Sequence, residues 1–158
     1  VNAGFVGPHA ETPLHWAASC DDVEALDALL DHGADIEAPG AVIGGGTPLA
    51  DAVAFAQWNA ARRLVERGAR TTLWQAAALG LMERVVECFA ADPLPSPDEI
   101  TNALWSACHG GRLEAAQYLV ERGADVHWAG HDGLTPLGAA RRAGAGAVMN
   151  WLREQGAA

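Results

Sequence analysis

The 158-residue chain contains no lysine, one tyrosine, two methionines and three cysteines. Without lysine, Schiff-base chemistry through that side chain is excluded. Cys20, Cys88 and Cys108 sit in dissimilar contexts with no C-x-x-C pair, which gives neither a disulfide framework nor a zinc-site spacing. They read instead as small core hydrophobes in a reducing, cytoplasmic setting. No apolar run approaches the ~18 residues of a membrane span, and Val1 is followed by neither a charged nor an apolar leader region, so no membrane partner or targeting signal is read. Ten basic residues face twenty acidic ones, and the net charge of −10 would repel a phosphate backbone, so nucleic acid is not an expected partner.

Half the residues are hydrophobic and 19% are charged, the balance of one folded domain. Acidic residues gather early (Asp21, Asp22, Glu24, Asp27, Asp31, Asp35, Glu37), and arginines gather at Arg62, Arg63, Arg67 and Arg70 and again at Arg141 and Arg142. The gradient reads either as solvated helix faces or as a pattern that selects a partner's charge.

Internal repetition is plain. Apolar residues spaced for one helix face precede a glycine in each copy: Val23, Leu26, Leu29 and Leu30 before Gly33, Trp58, Ala61, Leu64 and Val65 before Gly68, and Leu113, Ala116, Leu119 and Val120 before Gly123. The run ending at Gly156 is another copy, with Arg153 at an apolar place, as suits a terminal repeat. A fifth copy reads Met82, Val85, Cys88, Phe89, with Asp92 in the glycine position and Pro93 stopping the helix. Each glycine is placed for a left-handed C′ cap. Shorter helices open on Thr12-Pro13-Leu14-His15, Thr47-Pro48-Leu49 and Thr135-Pro136-Leu137, where threonine caps and proline fits the first turn.

On these residues the chain resembles the ankyrin repeat family. TPLHWAA (12–18) with VEALDALLDHGADIEA (23–38), and LEAAQYLVERGADVHWAGHDGLTPLGAA (113–140), follow its pattern. The resemblance implies an all-α solenoid of about five helix-turn-helix repeats in a single domain over 1–158. The expected divisions are a partial leading finger at 1–11 and repeats near 12–46, 47–70, 71–101, 102–134 and 135–158. It also makes His15 the structural histidine that bonds to the turn. Val1-Asn2-Ala3 aligns with Ile36-Glu37-Ala38, so the chain is read as beginning inside a finger.

The pattern breaks between repeats. Gly33 and Thr47 lie fourteen positions apart and Gly123 and Thr135 twelve, but Gly68 and Thr71 only three. At the next junction Ser96-Pro97-Asp98-Glu99 reads as a capping box that starts the helix near Pro97. The β-hairpin finger is therefore expected to be missing between repeats 2 and 3 and between repeats 3 and 4, leaving a hollow in the concave wall.

The family's outward position, one after the TPLH histidine, falls on Trp16, Asp51, Gln75, Ser106 and Ala139. Trp74 and Trp105 occupy the histidine position itself, a departure that implies apolar packing there. Asp51 lies in an otherwise apolar helix and reads either as a functional carboxylate or as one solvated or paired with Arg62 or Arg63. Among six histidines no H-x-x-x-H or H-E-x-x-H spacing appears, so no metal is expected. Neither G-x-S-x-G nor a phosphate loop around Gly44–Gly46 is present, and no cofactor is implied.

The principal reading is a non-catalytic recognition module for a protein or peptide. Trp16, Asp51, Trp128, His131 and Asp132 are its main contacts, Gln75 and Trp105 face the same trough, and Val42 and Ile43 are apolar anchors. The alternative is a small-molecule or acid/base site in the hollow, with Asp51 as base, His109 or His131 as acid, and Trp16, Trp74 and Trp105 as walls. A packing spacer within a longer chain is the third.

Overall fold

In the computed structural model, residues 1–4, 10–42, 44–130 and 132–157 are described. The apolar stripes and caps produce ten helices, and no strand occurs among the described residues. The chain divides between Thr71 and Thr72 into two compact units. The first holds α1 (Pro13–Ser19), α2 (Val23–Asp31), α3 (Pro48–Ala54) and α4 (Trp58–Glu66). Its short helices α1 and α3 pack side by side, as do α2 and α4 behind them.

The second unit holds α5 (Leu73–Leu79), α6 (Met82–Ala90), α7 (Pro97–His109), α8 (Leu113–Val120), α9 (Pro136–Arg142) and α10 (Gly146–Glu154). Helices α5, α7 and α9 form one layer, and α6, α8 and α10 the other. Both cores are thin and alanine-rich. Leu14, Leu26, Leu49, Val53 and Leu64 are fully buried in the first unit, and Val85, Leu104, Leu119 and Leu152 in the second. Alanines between them, such as Ala18, Ala52, Ala77 and Ala107, let the helices approach closely.

The stripe glycines Gly33, Gly68, Gly123 and Gly156 all take positive φ, as C′ caps require. Ser96 and Glu99 form the expected box: the Ser96 amide donates to Glu99 Oε2 at 2.8 Å, and α7 begins at Pro97. Residues 67–72 alone join α4 to α5, and residues 91–96 join α6 to α7, so neither junction holds a hairpin. The finger 36–46 is present: Gly40 and Ala41 amides donate to the Gly45 and Gly46 carbonyls at 3.1 and 2.9 Å.

Successive repeats are stitched by side chains bonded to backbone. Asn2 Oδ1 accepts from the Asp35 amide at 2.8 Å, Glu37 Oε1 from the Arg70 amide at 2.7 Å, and Thr101 Oγ1 from the Asp125 amide at 3.2 Å. In each case the amide lies two residues after a C′ glycine, and the acceptor belongs to the preceding repeat. Where the finger is missing, helix α7 supplies the acceptor through Thr101. A further stitch, with no signal in the residue pattern, is made at Asp21, a left-handed non-glycine residue at φ 58°. Its carboxylate accepts from the Ala60 amide at 2.7 Å and from Asn59 Nδ2 at 2.8 Å, capping α4 from the neighbouring repeat.

His15 is a double anchor. Its Nδ1 accepts from the Thr12 amide at 3.1 Å, which leaves the Nε2 proton to reach the Gly46 carbonyl at 3.3 Å. Burial holds this imidazole below its ordinary value of 6.5, against the opposing pull of the Gly46 carbonyl and Glu11. As pH falls the unfolded chain therefore takes up the proton first. The stability contributed by neutral His15 is fully present above the unfolded value of about 6.5 and is lost as pH falls through the lowered folded one.

Glutamine can replace the Thr12 half of this anchor, because Gln75 Oε1 accepts from the Thr72 amide at 2.8 Å in the same way. His15→Gln is accordingly expected to fold and to flatten the slope of stability against pH between about 7.5 and about 5.5, measured by urea unfolding. An unchanged slope contradicts the assignment. A second expectation concerns close packing: a Cβ on Gly110 would lie 1.9 Å from the Ala78 carbonyl oxygen, where α7 meets α5. Gly110→Ala should cost about 3 kcal/mol or more in thermal or urea unfolding; unaltered stability would show that the helices are not so closely apposed.

Candidate functional site

Among the described residues of the first unit four large apolar side chains remain in water: Val1 and Trp16 are each 53% exposed, Phe55 42% and Val42 39%. Trp16 and Asp51 hold the same register position on neighbouring helices, and Phe55 follows Asp51 by one turn. Asp51 itself is fully buried. The finger explains the difference, because the Val42 amide donates to Asp51 Oδ1 at 3.2 Å and the backbone lies over the carboxyl group. Asp51 thus fastens the finger that carries Val42.

The pairing of Asp51 with Arg63 expected as one alternative is replaced by another. Arg63 Nε lies 2.8 Å from Asp27 Oδ1, and its Nη1 lies 3.0 Å from Glu66 Oε2. Arg67 reaches Asp27 and Asp31, each at 2.6 Å. Hydrogen bonding by Arg63 holds the Asp27 carboxyl below the usual carboxylate range, against the opposing effect of burial and with further help from Arg67. The early acids and the first arginine cluster therefore meet across the long-helix side of this unit.

The second unit gathers a different set. His109, buried at the end of α7, stacks on Trp105 with ring centroids 5.3 Å apart, and its Nδ1 accepts from Arg142 Nη2 at 3.5 Å. The Arg142 guanidinium also lies 5.5 Å from the Trp105 ring centroid and bonds Asp132 Oδ2 at 2.5 Å. Burial raises the Asp132 pKa, but hydrogen bonds from the Leu134 amide and Arg142 outweigh it and leave the carboxyl below its ordinary value. Trp128 is half-buried on the adjoining finger.

A family model for three copies of the ankyrin repeat matches residues 1–73, and one for the single ankyrin repeat matches residues 101–130. The chain belongs to the ankyrin repeat family. Among solved structures it is similar to the human ASB11 ankyrin repeat domain, with 23% identity and a TM-score of 0.50 over 94% of this chain and 71% of that one. At that identity the likeness concerns the fold. No curated protein matches the chain. The stretch 74–100, which contains one of the two fingerless junctions and adjoins the other, lies between the two matched ankyrin segments.

Against the ankyrin pattern, Trp105 is a substitution that keeps the job. Its Nε1 donates to the Leu134 carbonyl at 2.8 Å, as His15 does to Gly46. Both acceptors immediately precede the Thr-Pro pair of the next repeat, so apolar packing alone is not what the indole provides. Trp74 is partly buried against the core of its unit.

The outward register holds only at Trp16. Gln75 is buried, because α5 starts one residue later than the threonine spacing implies and its cap uses Gln75 where α1 uses His15. Ser106 and Ala139 are buried as well. Cys20 is exposed rather than in the core, whereas Cys108 is buried and its thiol is pushed up to about 12 by that burial. Asp51 and His109 belong to different units, and each bonds within its own. Ile43 and His131, an anchor and a contact or acid in the sequence reading, lie outside the described residues. No cluster of three metal-binding side chains occurs among the described residues, and no helix there is long and apolar enough to cross a membrane.

If Asp51 holds the finger, Asp51→Ala should speed hydrogen exchange at the Val42 amide while Asp51→Asn, which keeps an acceptor oxygen, leaves it near the wild-type rate. Loss of the acceptor should also cost about 1–3 kcal/mol of stability. Equal exchange in both variants would remove Asp51 from this role.

Proposed function

We propose that the chain is a non-catalytic protein-recognition module whose contacts lie on its short helices and fingers. Ankyrin repeats in general mediate protein–protein interaction, and one observation carries the reading to particular residues. Trp16 stands 53% exposed at a register position where Asp51, Ser106 and Ala139 are buried. Folding gains less from a tryptophan half in water than from a buried one, whereas recognition surfaces are enriched in tryptophan.

Val42 and Phe55 complete an apolar group with Trp16, and Asp51 supports it by holding the finger. In the second unit Trp128 and Asp132 are the proposed contacts, backed by Trp105 and Arg142. A net charge of −10 disfavours nucleic acid as the partner. A cytoplasmic, reducing setting goes with this reading, since an exposed Cys20 thiol stays free there.

The test is a partner selected on the intact chain by peptide display, with its affinity then measured against variants. Trp16→Ala should weaken binding by about 2 kcal/mol, roughly 30-fold, as expected of an interface hot spot. Glu114→Ala on the long helix α8 should change it little. Full affinity in both Trp16→Ala and Trp128→Ala would refute the proposal.

A further inference from the structure

The tip of the finger 124–134 is held by bonds that converge from three elements. The Gly130 amide donates to the Leu134 carbonyl and the Gly133 amide to the Gly130 carbonyl, each at 2.9 Å. Asp132 Oδ1 accepts from the Leu134 amide at 3.1 Å. Helix α7 adds the Trp105 indole on the Leu134 carbonyl, and α9 adds Arg142 on Asp132 Oδ2. Arg142 also reaches His109 Nδ1 at 3.5 Å. A guanidinium keeps its charge at any pH the folded chain meets, so that ring nitrogen can accept from it only while it carries no proton. A proton on His109 sets a second positive charge beside the first, and like charges so close disfavour each other. One of the two must then withdraw. His109 is buried in α7 and stacked on Trp105, whereas Arg142 is exposed on α9 and can turn into water.

We propose that His109 and Arg142 form a proton-sensitive clasp on this finger: neutral His109 lets Arg142 hold Asp132, and protonated His109 releases it. The proposal goes beyond the recognition reading, since it holds whatever the finger binds. The elements packed against α7 offer no better partner for the proton. Helix α5 carries no ionisable side chain. At the start of α8, Arg112 Nε donates to the Ala78 carbonyl at 3.3 Å, and on that helix Glu114 is exposed and Tyr118 lies under Arg122. Arg141 on α9 and Asp125 and His127 on the finger are exposed. Beside His109 on α7, burial pushes the Cys108 thiol up to about 12, so it stays neutral. Asp132 supplies a negative charge, but its oxygens are engaged by Arg142 and the Leu134 amide.

The experiment uses the full chain. Nuclear magnetic resonance follows the His109 ring and the exchange of the Leu134 amide, relative to its intrinsic rate, from about pH 7.5 to about pH 5. Protection at Leu134 should fall by about threefold or more at the midpoint where His109 takes up its proton. The Asp125 amide at the base of the same finger, held by Thr101 Oγ1, should keep its protection. Arg142→Met should let His109 bind its proton at least about threefold more tightly, because the coupling acts in both directions. His109→Gln keeps an acceptor for Arg142 and should flatten the Leu134 profile.

A His109 ring that stays neutral down to about pH 5, or that titrates alike with and without Arg142, overturns the clasp. So does a step at Leu134 that survives in His109→Gln or disappears in His131→Gln. Equal loss of protection at Asp125 overturns it too, since that is general unfolding and not release of the tip. Should His109→Gln not fold, the titration in Arg142→Met decides alone. The recognition reading fails separately, through a display-selected partner that ignores Trp16 and Trp128.

Discussion

In three repeats a backbone amide just after the C′ glycine finds its partner in a side chain of the preceding segment of the same unit. Asn2, Glu37 and Thr101 accept the amides of Asp35, Arg70 and Asp125. Within their own repeats, His15 and Trp105 reach the carbonyls of Gly46 and Leu134. These bonds are exposed or part-buried, each contributing about 0.5–1.5 kcal/mol, and the chemistry that makes them is free to vary. Asparagine, glutamate and threonine serve one slot, and histidine and tryptophan another. The helix pairs have alanine-rich cores too thin to stand alone, and the stitches hold neighbours in register.

Bonds of this kind also decide which polar residues remain for binding. Asp51 and Gln75 look functional from composition, since each is a polar side chain in an apolar helix. One fastens a finger and the other caps a helix. Trp16, Phe55 and Val42 keep a large part of their side chains in water. In the second unit Arg142 does three things at once: it bonds Asp132, contacts His109 and lies over Trp105, tying the tip of the finger to the ends of α7 and α9.

Much of the fold was legible because it rests on local rules. The stripes before Gly33, Gly68 and Gly123, the box at Ser96 and Glu99 and the short junction after Gly68 depend on residues a few places apart, and each appears as read. The site was less legible because exposure depends on what folds over a helix. A register argument places Trp16 and Asp51 on the same face, but it cannot know that the finger 36–46 lies over Asp51. Trp105 misled for a related reason: an indole N–H can make the bond expected of histidine, although the two side chains differ in shape. Asp21 carried no signal at all, since its capping role depends on a left-handed backbone and on Ala60, thirty-nine positions away.

The account depends most directly on the repeated stitch, which native-state hydrogen exchange reads residue by residue. The amides of Asp35, Arg70 and Asp125 lie outside helices, yet each should exchange far more slowly than an unprotected amide, and Glu37→Ala should release Arg70 while leaving Asp125 protected. Exchange of all three at the rate of free coil would contradict it.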